Sequence, residues 1–303
     1  MILGELPAGE LRRRLAGSGL RLRIGPVVAE ILSSFRTVET AVALHYSGHE
    51  VVPASDFADF HVAVEPPPGV RRWVAPQAYF KFDDRSAFLP LPAAQAFPLL
   101  EWGLNWCVSV HCHQYLIVHA AVVERGGRAL VLPAPPGSGK STLCAALVAR
   151  GWRLLSDELA LVDLSCGRLM PMPRPISLKN RSIDVIRTFW PEAPIGAVVP
   201  DTLKGSVAHV RPPIDSVRRA QESATPGWIV LPRFEAGAAT ELRPLSKCDA
   251  FMRLVDSAFN YNIHGRAGFA ALAEVVDASV CHTFVYGGAL DEAATVFDDL
   301  AKA

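Results

Sequence analysis

The residues with the plainest chemistry are Ala134–Ser141, APPGSGKS. The general pattern G-x-x-x-x-G-K-[ST], set between a strand and a helix, curls the backbone so that successive N–H groups face a phosphate. Gly137 and Gly139 supply the backbone freedom for that curl. The start of the following helix adds its positive dipole end, Lys140 reaches the outer phosphates, and the Ser141 hydroxyl is placed to hold Mg²⁺. Pro136, Ser138 and Thr142 complete the expected nucleotide-binding set. Ala134 stands where the pattern has its first glycine, a place alanine tolerates at negative φ.

One helix and one strand further on come Asp157 and Glu158, inside SDE at 156–158. Phosphoryl transfer needs one group to hold the metal and another to take a proton from the attacking hydroxyl, both close to the γ-phosphate. Two adjacent carboxylates at a strand end can divide those tasks. Ser141 and one of these two carboxylates are therefore the expected metal ligands. Asp163, ending the next strand LALVDL, is read as a solvated strand-end acid. His119 lies in the apolar strand LIVHAAVVE and is either a packed core histidine or part of the site. Arg174 and Lys179, in MPRPISLKN, are surface charge or cations over the developing phosphoryl charge, a role that suits arginine. Lys204, His209 and Arg211, in LKGSVAHVRPP, are candidates for a capping or substrate-binding loop. The HCH at 111–113 is read as a helix end, because histidines two apart do not share a helix face. Trp102, Trp106, Phe251, Phe259 and Phe269 are assigned to core packing.

Positioning these groups requires a strand on each side of the loop and a helix behind it. The sequence offers them: LIVHAAVVE, an RGG turn and ALVLPA as strands, KSTLCAALVARG as a helix closed by Gly151, then WRLLS and LALVDL as strands. Downstream come a strand (GWIVLPRF), two helices (KCDAFMRLVDSAFNY and GRAGFAALAEVVDA), a strand (VCHTFVYG) and a last helix (LDEAATVFDDLAKA). This mixture indicates α/β architecture. Residues 171–226, broken by prolines, read as irregular active-site loops. Upstream, a short helix at 7–17 precedes strand-like runs at 20–25, 40–46, 60–65, 78–83 and 87–92, and a long helix starts near residue 93. The division expected is a smaller, mainly β module at 1–92 and a kinase-type domain at 93–303.

Length and composition agree with two such units. The chain has 303 residues, half of them apolar, with 30 basic and 30 acidic side chains. Balanced charge gives no basic field for nucleic acid or an anionic membrane. The run LRRRL at 11–15 reads as the solvated face of a helix. No apolar stretch is long enough for a membrane span or a signal peptide. The six cysteines form no C-x-x-C pair and read as reduced residues of a cytoplasmic protein.

The stretch from Leu116 to Val162 resembles the catalytic core of HPr kinase/phosphorylase, a bacterial protein serine kinase: a strand with His, the phosphate loop, a helix ending in RG, then a strand ending in two acids. Phosphoenolpyruvate carboxykinases share this arrangement. With PRPISLKN (173–180) and KGSVAHVRPP (204–213), the chain resembles the HPr-kinase-related kinase A group over most of its length. The resemblance implies an HPr kinase/phosphoenolpyruvate carboxykinase-like P-loop core, with ATP and Mg²⁺ as cofactors. It implies that Gly137, Gly139, Lys140 and Ser141 hold nucleotide and metal. Asp157 would be the general base with a share in the metal, and Glu158 would occupy the second acidic place, where HPr kinases have Asp. His119 would orient Asp157 or bond the γ-phosphate. The implied acceptor is a serine of a protein or peptide, with a small peptide-binding chaperone as partner and a homo-oligomeric assembly. The first 90 residues differ from the HPr kinase N-terminal domain, so HPr itself is not implied. A small-molecule kinase acting on a sugar or metabolite hydroxyl, and a nucleotide-gated peptide-binding protein with slow ATPase activity, remain alternatives.

Overall fold

The computed structural model describes residues 1–74, 76–135 and 137–302. The chain is mixed α/β, and its three sheets combine parallel and antiparallel pairing.

The first sheet follows α1 (Ala8–Arg13), on which Leu11 is buried while Arg12 and Arg13 are exposed. Its strands are β1 (Leu20–Ile24), β2 (Val27–Ser33), β3 (Phe60–Glu65), β4 (Gln77–Phe82), β5 (Arg85–Ser86) and β6 (Leu91–Pro92), in the order β1-β2-β3-β4-β5 with β6 also on β4. α2 (Arg36–His45) makes the crossover between the parallel strands β2 and β3. After α3 (Arg71–Val74), α4 (Ala96–His111) packs Phe97, Leu100, Leu104 and Cys107 into the core formed by α2 and this sheet. Gly103 allows the close approach, since a Cβ there would lie 2.0 Å from the Phe80 ring.

Two expectations fail in this region. Residues 40–45 are helix, not strand, and Tyr46 caps it: Val38, Val42 and His45 recur at helical spacing and form the buried face of α2. Residues 87–92 contribute only the two-residue β6, because Pro90 and Pro92 cannot donate to a ladder. β2 was not anticipated; it turns back on β1 at Gly25, whose φ is 59°.

The second sheet holds the strand that leads into APPGSGKS. It is built from β7 (Tyr115–Arg125), β8 (Arg128–Pro133), β9 (Arg153–Ser156), β10 (Leu159–Asp163) and β11 (Leu169–Met170), with α5 (Lys140–Ala149) between β8 and β9. Residues 171–226 are not loops. They form β12 (Ile176–Lys179), α6 (Arg181–Phe189), β13 (Val199–Thr202), β14 (Gly205–Val210) and α7 (Ile214–Arg218), the strands making a third sheet ordered β12-β14-β13. The prolines misled: most sit between elements, and Pro200 lies on the edge strand β13, where a missing N–H is tolerated. The chain then returns as β15 (Thr225–Phe234), β16 (Glu241–Pro244), α8 (Lys247–Asp256), α9 (Tyr261–His264), α10 (Arg266–Asp277), β17 (Val280–Tyr286) and α11 (Leu290–Leu300).

The order of the second sheet is β11-β10-β7-β8-β15-β17-β16, with β9 also on β7. β8, β15 and β17 run parallel, and the other pairs are antiparallel. Both faces are covered, so its strands read as continuous apolar runs. α5 and α11 pack Leu143, Leu147 and Phe297 on one face, and α10 packs Leu272 and Val275 on the other. Among the described residues no helix is long and apolar enough to cross a membrane.

Candidate functional site

β8 delivers the chain to the glycine-rich loop, and α5 carries it away. Gly137 and Gly139 have φ of 87° and 86°, and the first helical hydrogen bond is Leu143 N–H to the Gly139 carbonyl at 3.0 Å. The N–H groups ahead of it therefore have no acceptor within the helix. The loop is pinned from the parallel strands beside it. Phe234 N–H donates to the Ser138 carbonyl at 3.0 Å, and the Tyr286 hydroxyl donates to the Gly139 carbonyl at 2.9 Å. A Cβ on Gly139 would lie 2.1 Å from that hydroxyl, so only glycine fits. Ser141 and Thr142 sit part-exposed on the first turn. Pro136 lies outside the described residues.

Lys140, His119 and Glu158 meet at the start of α5. The β7–β10 pairing sets His119 opposite Leu159, next to Glu158. His119 Nε2 is 2.9 Å from Lys140 Nζ and 3.2 Å from Glu158 Oε2, and Lys179 Nζ is 3.8 Å from Glu158 Oε1. A neutral imidazole nitrogen either accepts from Lys140 or donates to Glu158, so two groups compete for one atom. Burial works to raise the Glu158 carboxyl, but the bond from His119 and the cations Lys140 and Lys179 outweigh it and hold the group well below its ordinary range. Burial lowers the Lys140 ammonium, and the two carboxylates only partly oppose this.

Asp157 follows β9 and is buried. Its Oδ2 accepts the Ser177 N–H at 3.0 Å; its Oδ1 has no hydrogen-bond partner among the described residues. Burial, then the neighbouring Glu158, push its carboxyl up to about 6, against the pull of Lys140. Burial, then the Asp157 charge, raise the thiol of Cys144, one turn along α5. A narrow cleft with a cavity of about 20 Å³ is lined by Ser156, Asp157, Glu158, Met172, Arg174, Pro175, Ser177 and His209, and by Glu101, Trp102 and Asn105 of α4. Its walls carry four buried polar atoms without a partner among the described residues: Asp157 Oδ1, Arg174 Nε, Ser177 Oγ and His209 Nε2.

Arg174 faces this cleft while anchored to α4. Nη1 donates to Asn105 Oδ1 at 2.6 Å, and Nη2 donates to the Glu101 carbonyl at 2.8 Å and to Glu101 Oε2 at 2.7 Å. The Tyr46 hydroxyl donates to Glu101 Oε1 at 2.6 Å. The structure thus brings together His119, Lys140, Asp157, Glu158, Arg174, Lys179 and the buried His209, with Lys204 at the rim. Arg211 is part-exposed and makes a backbone bond to the Pro194 carbonyl at 3.1 Å.

Three aromatic assignments change. Trp102 lines the cleft, with Lys204 Nζ 4.9 Å from its ring centroid, whereas Trp106 packs edge-on against Phe82 and Phe88 as a core residue should. Phe259 and Phe269 are about half exposed, and the Phe259 ring lies 6.0 Å from that of His119. Glu101 and Asn105 were missed. The signal for Glu101 was a lone carboxylate inside the apolar helix LLEWGLNW, a group that needs a buried partner.

No protein-family model matches the chain, and no curated protein matches it. Among the described residues no group of three or more His, Cys, Asp or Glu side chains is placed to hold a metal ion unaided.

Proposed function

We propose that this chain is an ATP- and Mg²⁺-dependent phosphotransferase that moves the γ-phosphate to a hydroxyl, most simply a serine of a protein or peptide. The observation that carries this reading is Asp157. It stands one strand beyond the phosphate loop, buried, with one oxygen fixed by Ser177 N–H and the other unpartnered at a cleft. A general base works best with a pKa near the operating pH, and burial moves this carboxyl toward it. The free N–H groups at the start of α5 suit the phosphates, and Lys140 suits the outermost of them. The order of strand histidine, loop, helix and acidic strand end supports an HPr kinase/phosphoenolpyruvate carboxykinase-like core, of the HPr-kinase-related kinase A kind.

Ser141, Asp157 and Glu158 would make an all-oxygen donor set that fits Mg²⁺, whose chemistry when bound is to neutralise phosphate charge. His119, between Lys140 and Glu158, fixes how far those two charges approach. The guanidinium of Arg174, held by Glu101 and Asn105, adds positive charge where the transferring group would pass. The free cysteines and the need for ATP fit a cytoplasmic setting.

The test follows label from γ-labelled ATP. Transfer to a protein or peptide supports the reading, and transfer to a small compound gives the small-molecule kinase. Label found only in inorganic phosphate gives the nucleotide-gated binding protein. Lys140→Ala should weaken ATP binding itself; an unaltered ATP affinity in calorimetry would remove Lys140 from the site.

A further inference from the structure

LKGSVAHVRPP and PRPISLKN leave two side chains without a task, and both come to the same place. Ser177 on β12 and His209 on β14 are paired across the third sheet, and each presents a buried polar atom without a partner among the described residues. The Nε of Arg174 and Oδ1 of Asp157 are the other two such atoms on the same cleft. Each of the four residues is less than a tenth exposed. Four unpaired polar atoms round one cavity are not tolerated without something that bonds to them. The cavity, about 20 Å³, has room for one water-sized group, which requires about 10–15 Å³.

We propose that Ser177 Oγ, His209 Nε2 and Arg174 Nε seat the oxygen of the acceptor alcohol against Asp157 Oδ1, and that this seat admits only an unbranched CH₂OH. This rests on the phosphotransferase reading and deepens it. Arg174 Nε–H can only donate, and the carboxylate can only accept. An alcohol satisfies both at once, its oxygen taking the Arg174 proton bond while its own hydrogen points at Asp157; its remaining lone pair accepts from Ser177 Oγ–H or His209 Nε2–H before transfer and turns to Pγ in the transfer. Burial, then Arg174, push the His209 ring down to about 3, so it meets the alcohol as a neutral partner and adds no charge. In the transfer the alcohol O–H proton passes to Asp157 Oδ1 and the alcohol oxygen bonds Pγ. The bond from Pγ to the β–γ bridging oxygen breaks, and its electron pair leaves with ADP. α4 supplies Trp102 as a wall, and through Glu101 and Asn105 it holds Arg174 in place, so the N-terminal sheet and its helices complete the seat. The cavity holds the oxygen alone, so the carbinol carbon sits at its mouth, where a methyl would crowd the walls and a phenol or sugar ring would crowd them more.

The test uses the full chain, γ-labelled ATP and three degenerate peptide libraries with Ser, Thr or Tyr fixed at the centre. The Ser library should take at least about tenfold more label than the Thr library, the discrimination one extra methyl gives in a tight pocket, and the Tyr library none. Ser177→Ala and His209→Leu should each lower transfer to peptide and phosphate release to water together, by about tenfold, the worth of one hydrogen bond. His209→Gln, which keeps a polar tip, should retain more than His209→Leu. ATP affinity by calorimetry and the thermal midpoint should stay near the parent's in Ser177→Ala, whose lost hydroxyl leaves packing intact. Equal labelling of Thr and Ser overturns the proposal. So do variants that transfer at the parental rate, which would make the cavity a seat for structural water only, and so does ATP that binds without transfer to peptide or water. ATP that does not bind at all is a different failure: it removes the phosphotransferase reading beneath.

Discussion

β7 carries two buried charge clusters built to opposite rules. Near its end, Glu124 is bonded by Arg153 Nε and accepts the Gly127 N–H at 2.5 Å, while Arg153 Nη1 donates to the carbonyls of Arg219 at 3.0 Å and Glu222 at 2.9 Å. None of its buried side-chain atoms lacks a partner among the described residues. Earlier on the same strand, His119 has two claimants for one nitrogen, and beyond Glu158 the Asp157 carboxyl keeps a buried oxygen unpaired. A closed cluster has nothing to offer a ligand and serves the fold. An open one is retained at a loss of stability, which is the mark of a site.

Opposite substitutions should break the two clusters in opposite ways. Asp157→Asn removes the proposed proton acceptor but little volume. It should keep ATP affinity and lose transfer by about 10²–10⁴-fold, on the order of 3–5 kcal/mol of transition-state stabilisation. Transfer at the parental rate would end the assignment of Asp157 as base. Glu124→Ala leaves the buried Arg153 guanidinium without its counter-charge. Urea unfolding should show a loss of about 3–5 kcal/mol, with turnover per folded molecule unchanged. If Asp157→Asn unfolds the protein, or Glu124→Ala leaves stability intact, the contrast is wrong.

pH sharpens the same comparison. The Asp157 carboxyl is raised from 3.8 to about 6, so the folded chain keeps this proton to a higher pH than the unfolded chain does. The stability this contributes is full below 3.8 and is lost as pH rises through 6. Glu158 is shifted the other way, contributing stability above its ordinary 4.5 that is lost as pH falls. The parent's own stability curve mixes the two, and the difference between Asp157→Asn and parent reads the Asp157 titration together with its coupling to Glu158. In chelated, magnesium-free buffer that difference should grow in favour of the variant between about pH 4 and 7, by up to about 3 kcal/mol. Transfer by the parent should climb across the same window, because the base must be ionised. A difference curve flat in pH would place Asp157 in an ordinary solvated environment.

Much of the open cluster was legible because its parts are local. The loop, its flanking strands and the acidic pair lie within Leu116–Val162, where apolar runs, an RGG turn and a glycine-closed helix leave little freedom. What could not be read was reach. Arg174 and Glu101 are 73 positions apart, and no spacing rule joins them. The α2 error came from a short apolar run, TAVALHY, in which strand alternation and helical spacing overlap; the turn before it, with Val38, decides. At 171–226 proline density reads as irregularity, although ISLK and SVAHV between the prolines are strands. That reading leaves Ser177 unassigned and gives His209 to a capping loop, whereas their pairing across the sheet brings both to the cleft. Trp102 and Trp106 share one sequence pattern, and only their neighbours separate a wall of the cleft from a core residue.

The smallest effect tests whether the Glu124 cluster is as closed as its hydrogen bonds suggest. Arg219 Nη2 lies 3.7 Å from Glu124 Oε2, but the arginine side chain is 38% exposed and also bonds Glu222 at 2.7 Å. Its carbonyl, not its guanidinium, supports Arg153. Arg219→Ala leaves that carbonyl in place and removes only a screened, redundant charge, so it should reduce stability by less than about 1 kcal/mol in urea unfolding. A loss as large as that of Glu124→Ala would mean that Arg153 and the backbone do not by themselves satisfy the carboxylate. The strand would then carry two open clusters, and unpaired atoms alone would no longer single out the one around Asp157.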